Sequence, residues 1–99
     1  MATKKSASTL IGKIRALGGC VYYKGEEFDP ENFAAGMANW DEDTIDHLSG
    51  QLDYILGTAI LYKEAMENPL IKPKPRFPYA SVQIGLDGSL KSTWSKTKC

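Results

Sequence analysis

Apolar residues first recur with helical spacing near the start of the chain, in "STLIGKIRALG" at 8–18. A hydroxyl such as that of Ser8 can accept hydrogen bonds from the first free backbone N–H groups of a helix. Gly18 tolerates the left-handed conformation that often ends one. The residues that share one face at a spacing of three or four are Leu10, Ile11, Ile14 and Leu17. This pattern predicts a helix over 8–18.

Two more helices are predicted, over 30–39 and 41–67. Asp29 is a natural N-cap for the first, and Pro30 suits a first helical position, where its missing N–H costs nothing. In the second, a three-four spacing runs through Ile45, Leu48, Leu52, Ile55, Ala59, Tyr62 and Met66, which we call the seam. We interpret the seam as a core stripe, with a homo-oligomer contact through 45–66 as the alternative. The C-terminal half is apolar on nearly every side, which predicts burial against more than one surface.

Alternation typical of β-structure marks the stretches 20–28 and 80–95. Asp87-Gly88 lies inside the second stretch and is a strong hairpin signal. The turn register decides whether Leu90 and Trp94 share a face with Val82, and the sequence leaves this open. We therefore predict an α+β fold: a single small domain over 1–99 with three helices on a small, mainly antiparallel sheet. The polar ends, 1–7 and 95–99, are expected to fray.

The helix over 41–67 also contains two glycines, Gly50 and Gly57, seven residues apart and away from the seam. Each costs about 1 kcal/mol relative to alanine in a helix interior. Close approach of another backbone within the fold is the expected reason. A notch for a partner is the alternative.

The net charge of zero hides a strong charge asymmetry along the chain. Residues 1–24 contain five Lys/Arg and no acid, and residues 25–62 contain nine acids and no Lys/Arg. Residues 68–99 then contain six Lys/Arg and one acid. Solvated helices normally mix the two signs, since opposite charges four residues apart support each other. The acidic middle therefore needs an explanation beyond ordinary solubility.

Catalytic and metal-binding motifs do not provide that explanation. His47 lies one helical turn from Asp43, a spacing that can hold a metal or orient an imidazole. No second histidine exists, and neither an H-E-x-x-H motif nor an EF-hand loop is present. The sequence also lacks the phosphate-binding loops G-x-x-x-x-G-K-[ST] and G-x-G-x-x-G. We predict a non-enzymatic protein with no cofactor and no metal, in which His47 is a bystander.

Cysteine and hydropathy patterns bear on the compartment. Cys20 and Cys99 are the only cysteines, and neither belongs to a C-x-x-C pair, so two free thiols are expected. The longest apolar run, at 54–62, is far too short to span a membrane, and the N-terminus has no apolar stretch of the length that a secretory signal requires. We predict a cytoplasmic location, without membrane contact, in the host cell if a phage encodes the protein.

The first acids of the helix over 41–67 complement the positive end of the helix dipole. Because the dipole covers only the first turn, the others indicate an acidic surface meant for a basic partner. The predicted partner-binding residues are Glu26, Glu27, Asp29, Glu31, Asp41, Glu42, Asp43, Asp46 and Asp53. The leading hypothesis is an interaction protein that mimics nucleic-acid phosphates, in the manner of small inhibitors from phages or mobile elements.

Two alternatives use the basic parts of the chain. The first is a small structural subunit of a larger assembly, with extended basic arms that pack on neighbouring chains. The second, ranked third, is a direct nucleic-acid binder in which aromatic side chains stack on bases while cations contact phosphates. Its predicted site consists of Lys72, Lys74, Arg76, Phe77, Tyr79 and Trp94.

Overall fold

The structure is a computed structural model, and it describes residues 4–68, 70 and 75–98. The helices are α1 (Lys4–Ala16), α2 (Pro30–Met37) and α3 (Glu42–Glu67), and the strands are β1 (Cys20–Tyr23), β2 (Glu26–Glu27), β3 (Tyr79–Ile84) and β4 (Leu90–Ser95). The α+β prediction of three helices on a small sheet is confirmed. Among the described residues, no helix is both long and apolar enough to cross a membrane.

The four strands form one mixed sheet in the order β2-β1-β3-β4. Two of the three neighbouring pairs are antiparallel, whereas β1 and β3 run parallel. β1 and β3 can run parallel because α2 and α3 lie between them in the chain. These helices carry the chain back to the end of the sheet where β1 began, so that β3 starts there too. β2 and β4 are therefore the two edges.

The hairpin between β3 and β4 settles the register that the sequence left open. Ile84 pairs with Leu90, and Gly88 takes a φ of 84° in the turn, a conformation that favours glycine. Ala80 pairs with Trp94, so Leu90 and Trp94 do lie on the same face as Val82.

Three helices cover one face of the sheet. The buried strand residues on that face are Val21, Tyr23, Ala80, Val82 and Ile84, and their neighbours along each strand are more exposed. The helices contribute Ile11, Ile14, Phe33, Met37, Leu48 and Leu52 to the same cluster. Phe33 is fully buried, and its ring meets those of Tyr23, Phe28 and Trp40. The other face of the sheet has no helix on it among the described elements.

α1 begins at Lys4, four residues before the predicted start, so Ser8 lies inside the helix rather than at its cap. Ala7 is fully buried and continues the row of Ile11 and Ile14 by one turn, which extends the packed face of the helix. The helix ends before Gly18, whose φ of 89° is left-handed as expected.

The seam of α3 faces the core of its own fold. Ile45, Leu48, Leu52, Ile55 and Ala59 are all buried. The interpretation of the seam as a core stripe is confirmed for these five residues, and Tyr62 and Met66 are half-buried.

The prediction of two free thiols is wrong. Among the described residues no cysteine is free, and Cys20 is disulfide-bonded. The chain's other cysteine, Cys99, lies outside the described residues. Sequence spacing missed the bond because disulfide geometry depends on distances in the folded chain. Disulfides persist mainly in oxidising compartments, so the cysteines no longer support the predicted cytoplasmic location.

Candidate interaction surface

Two of the predicted partner-binding acids begin helices. Asp29 is the N-cap of α2 and accepts a hydrogen bond from the backbone N–H of Glu31 at 3.1 Å. Asp41 is the N-cap of α3 and accepts one from the backbone N–H of Thr44 at 2.8 Å. Hydrogen bonds from the hydroxyl and the backbone of Thr44 lower the pKa of Asp41. These two carboxylates therefore have a structural role, whatever else they do.

The remaining predicted acids have little compensation within the chain. Only one ion pair involves them among the side chains that the structure describes, with 3.9 Å between Nη2 of Arg15 and Oε1 of Glu27. Both partners are well exposed, so this pair contributes little. Apart from this weak pair, the described side chains of the basic flanks make no ion pair with the acidic middle.

The structure divides the nine predicted acids into two groups. Glu26 and Glu27 form β2, one edge of the sheet, and Asp29 and Glu31 follow at the start of α2. The second group comprises Asp41, Glu42, Asp43, Asp46 and Asp53, at the start and in the N-terminal half of α3. Asp46 lies beside β4, at the edge of the sheet opposite β2. The two edge strands are three strand spacings apart, which is about 14 Å.

The acids of α3 form a row on its solvent side. Glu42, Asp46 and Asp53 are four and seven residues apart, so they lie on one side of the helix over about 16 Å. Glu42 and Asp53 are exposed, whereas Asp46 is half-buried. The Oδ1 atom of Asp46 is buried without a hydrogen-bond partner among the described atoms. A carboxylate oxygen in that position favours a donor from outside the chain.

A groove of about 480 Å³ runs beside this row, between α3 and β4. Its α3 side is formed by Asp46, His47, Gly50, Gln51, Tyr54 and Ile55, and its β4 side by Leu90 and Ser92. The floor is partly apolar, because Ile55 is buried and Leu90 packs against the core. No Lys or Arg is among the residues that line it.

His47 lies on this groove but outside any metal-binding arrangement in the described structure. It is exposed, and the described residues contain no group of three or more His, Cys, Asp or Glu side chains that could hold a metal ion.

The expected reason for Gly50 and Gly57 is wrong. A Cβ atom added at either position would meet nothing within 4 Å among the described atoms, so no backbone of the fold approaches them. Both glycines are exposed on α3. The alternative, a notch for a partner, remains.

Exposed apolar residues on α3 are the feature that sequence reasoning missed. Tyr54 is 77% exposed, Ile60 43% and Leu61 48%. Burial of the C-terminal half of this helix on every side was predicted, and for Ile60 and Leu61 that is wrong. The reason is that the sheet covers one side of α3 and α1 covers part of another, which leaves a third side open. The sequence does contain a signal for this open side. Gly50 and Gly57 each lie one helical turn before an exposed apolar residue, Tyr54 and Leu61 respectively.

Two described aromatic residues of the predicted basic and aromatic site, Tyr79 and Trp94, do not share a face of the sheet. Tyr79 lies on the sheet face without helices, whereas Trp94 lies on the helix face and packs against Tyr62, with ring centroids 4.9 Å apart. Phe77 is 44% exposed, and Nζ of Lys96 lies 5.7 Å from its ring centroid. Of the three predicted cations, Arg76 is exposed, and Lys72 and Lys74 lie outside the described residues.

Comparisons with protein-family models, with curated proteins and with solved structures gave no match for this chain. Its function therefore has to be argued from its own surface.

Proposed function

We propose that this protein is a small, non-enzymatic interaction protein whose acidic α3 surface binds a basic surface on a partner protein. That surface, hereafter the α3 acidic row, consists of Glu42, Asp43, Asp46 and Asp53. The observation that carries the proposal is the absence of any ion pair to these four residues among the described side chains. Four carboxylates on one helix repel each other, and a basic partner would relieve that repulsion.

The geometry is also compatible with mimicry of nucleic-acid phosphates. Glu42 and Asp46 are separated by about 6 Å along the helix axis, close to two phosphate steps of one DNA strand at about 3.4 Å each. A row of this kind would attract a surface that normally binds nucleic acid. We include in the proposal that the protein acts as an inhibitor of such a partner, of the kind that phages and mobile elements encode.

A second candidate function, a structural subunit of a larger assembly, is favoured by a different observation. Tyr54, Ile60 and Leu61 expose apolar surface on the same helix, and exposed apolar patches mark interaction sites when they are contiguous. In that case the C-terminal half of α3, rather than its acidic half, would contact the neighbouring chain.

The test compares two variants that remove the same charge from the same helix. One is Asp46→Asn with Asp53→Asn, and its matched control is Glu64→Gln with Glu67→Gln. The probes are a nona-arginine peptide and a twelve-nucleotide single-stranded DNA, both fluorescently labelled and titrated across a salt series. We expect the protein to bind the peptide and not the DNA. Removing these two charges should weaken peptide binding by about two- to thirty-fold.

The control variant should retain the wild-type affinity. Equal loss in both variants would show that net charge alone drives binding and would contradict a specific surface. Binding of the DNA in place of the peptide would favour the direct nucleic-acid binder instead. A defined oligomer in light scattering that Leu61→Ser dissociates would favour the structural subunit.

A further inference from the structure

We propose that the groove between α3 and β4 receives an extended basic segment of the partner, which adds to β4 as a fifth strand. This inference rests on the proposed function, because it specifies how the basic partner binds. The bound segment has two features. Its backbone can pair along a strand edge, and its Lys or Arg side chains reach the α3 acidic row.

The β4 edge of the sheet is open to another strand in the described part of the chain. β4 pairs with β3 along all six of its residues, and no strand lies on its other side in the described part of the chain. An edge strand presents a row of backbone N–H and C=O groups that another chain can pair with. Addition of an extended peptide to such an edge is a recurring mode of recognition. β2, the opposite edge, has only two residues and offers much less.

The groove lies where the side chains of an added strand would point. Leu90 and Ser92 belong to the helix-facing side of β4 and line the groove together with α3. Successive side chains of a strand point to opposite faces of the sheet. A strand added to β4 would therefore place every second side chain in this groove, beside Tyr54 and Ile55.

Gly50 affects the width of the groove on its α3 side. It lines the groove, is exposed, and has nothing within 4 Å of where a Cβ would be. Glycine in a helix interior is costly relative to alanine, and nothing in the described fold compensates for it. Its lack of a side chain keeps the groove open, which a bound peptide would use.

Charge selects the chemistry of the occupant. Asp46 lines the groove, and its buried Oδ1 atom has no partner among the described residues. Asp53 follows two turns along the same side of α3. A second copy of this chain fits less well, because twofold pairing of β4 with β4 would bring two acidic α3 helices together. A segment with Lys or Arg at intervals satisfies both the carboxylates and the strand edge.

The experiment uses the full chain and a seven-residue peptide of alternating lysine and valine, (Lys-Val)3-Lys, labelled for fluorescence anisotropy. Two N-methylated versions carry the methyl groups on the valines in one and on the inner lysines in the other. Because backbone N–H groups of alternate residues point to the same edge of a strand, only one version blocks pairing with β4. We expect one version to bind at least ten-fold more weakly and the other to bind within about three-fold of the parent.

The protein variants are Gly50→Gln, which fills the groove, and Gly57→Gln as the matched control. Gly57 is also exposed on α3 with open space at its Cβ position, but it does not line the groove. Both substitutions should raise the melting temperature, which shows that the fold is intact. We expect Gly50→Gln alone to weaken peptide binding, by at least ten-fold.

The outcomes separate this inference from the proposed function. Equal tolerance of both N-methylated peptides, or equal binding by the two glycine variants, would overturn strand addition in the groove. If Asp46→Asn with Asp53→Asn still weakened nona-arginine binding in that case, the proposed function would stand. If neither peptide bound at any salt concentration, both proposals would fall. A concentration-dependent dimer that Gly50→Gln dissociates would identify a second copy as the occupant and would overturn the basic peptide.

Discussion

Replacing the two open glycines of α3 with alanine should stabilise the protein. Gly50 and Gly57 lie in the interior of a 26-residue helix, are exposed, and have no described atom within 4 Å of an added Cβ. A methyl group at either position therefore meets no neighbour that has to move. The remaining effect is intrinsic, because alanine loses less backbone entropy than glycine when a helix forms.

The size of the effect follows from these observations. Each substitution should raise the free energy of unfolding by about 0.8–1.0 kcal/mol. The two positions are about 10.5 Å apart along the helix axis, far enough for their effects to add. The double variant should gain about 2 kcal/mol. For a domain of this size, that corresponds to a rise in Tm of about 8–16 °C.

Thermal and guanidinium unfolding, followed by circular dichroism, would measure the gain in both single variants and in the double variant. Gly36→Ala is the informative control. Gly36 is also helical, but an added Cβ would collide with the hydroxyl of Tyr23, so this variant should lose about 1–3 kcal/mol. A loss of stability in Gly50→Ala or Gly57→Ala would refute the reasoning, because it would mean that another part of the chain or another copy packs against these glycines.

Three more substitutions test the packing and electrostatics around α3. Ser49→Ala should raise the free energy of unfolding by at least about 1 kcal/mol in denaturant melts. Ser49 is only 4% exposed, and its buried hydroxyl has no hydrogen-bond partner among the described atoms. Trp40→Phe should cost about 0.5–1.5 kcal/mol in the same assay, since the indole N–H donates to the carbonyl of Leu86 at 2.7 Å and phenylalanine has no donor. The lowered pKa of Asp41, caused by its hydrogen bonds from Thr44, stabilises the fold above the ordinary value near 4, and this contribution is lost as the pH falls through the lowered pKa. Melting curves between pH 2 and 6 should therefore show a smaller acid-induced loss for Asp41→Asn than for the wild type, and parallel profiles would contradict this assignment.

Most of the secondary structure was predictable because its signals are local. The spacing of the seam, the N-cap at Asp29 and the turn at Asp87-Gly88 each act within a few residues. The interpretation of the seam as a core stripe also held, since an apolar row in a short domain is covered by the rest of the same chain. The start of α1 moved from residue 8 to Lys4, because the buried Ala7 extends its packed face by a turn.

The candidate site was only partly predictable. The sequence identified the acids, and their spacing placed Glu42, Asp46 and Asp53 on one side of a helix. It did not show that the β2 acids and the α3 acids lie near opposite edges of the sheet, nor that Tyr79 and Trp94 point to opposite faces. It also gave no means to locate the groove beside Gly50, since Leu90 is forty residues further along the chain.

The helices, the strands, the hairpin and the excess of acid over residues 25–62 could be predicted from the sequence, because periodicity, turn chemistry and charge are properties of neighbouring residues. Only the folded chain shows four other features of the described residues: the parallel pairing of β1 with β3, the disulfide at Cys20, the side of α3 that no described element covers, and the edge of β4 that no described strand pairs with. Each of these depends on which distant segments pack together. That choice is made by burial of the whole core, with Phe33, Leu48 and Val82 in one cluster, rather than by any stretch alone.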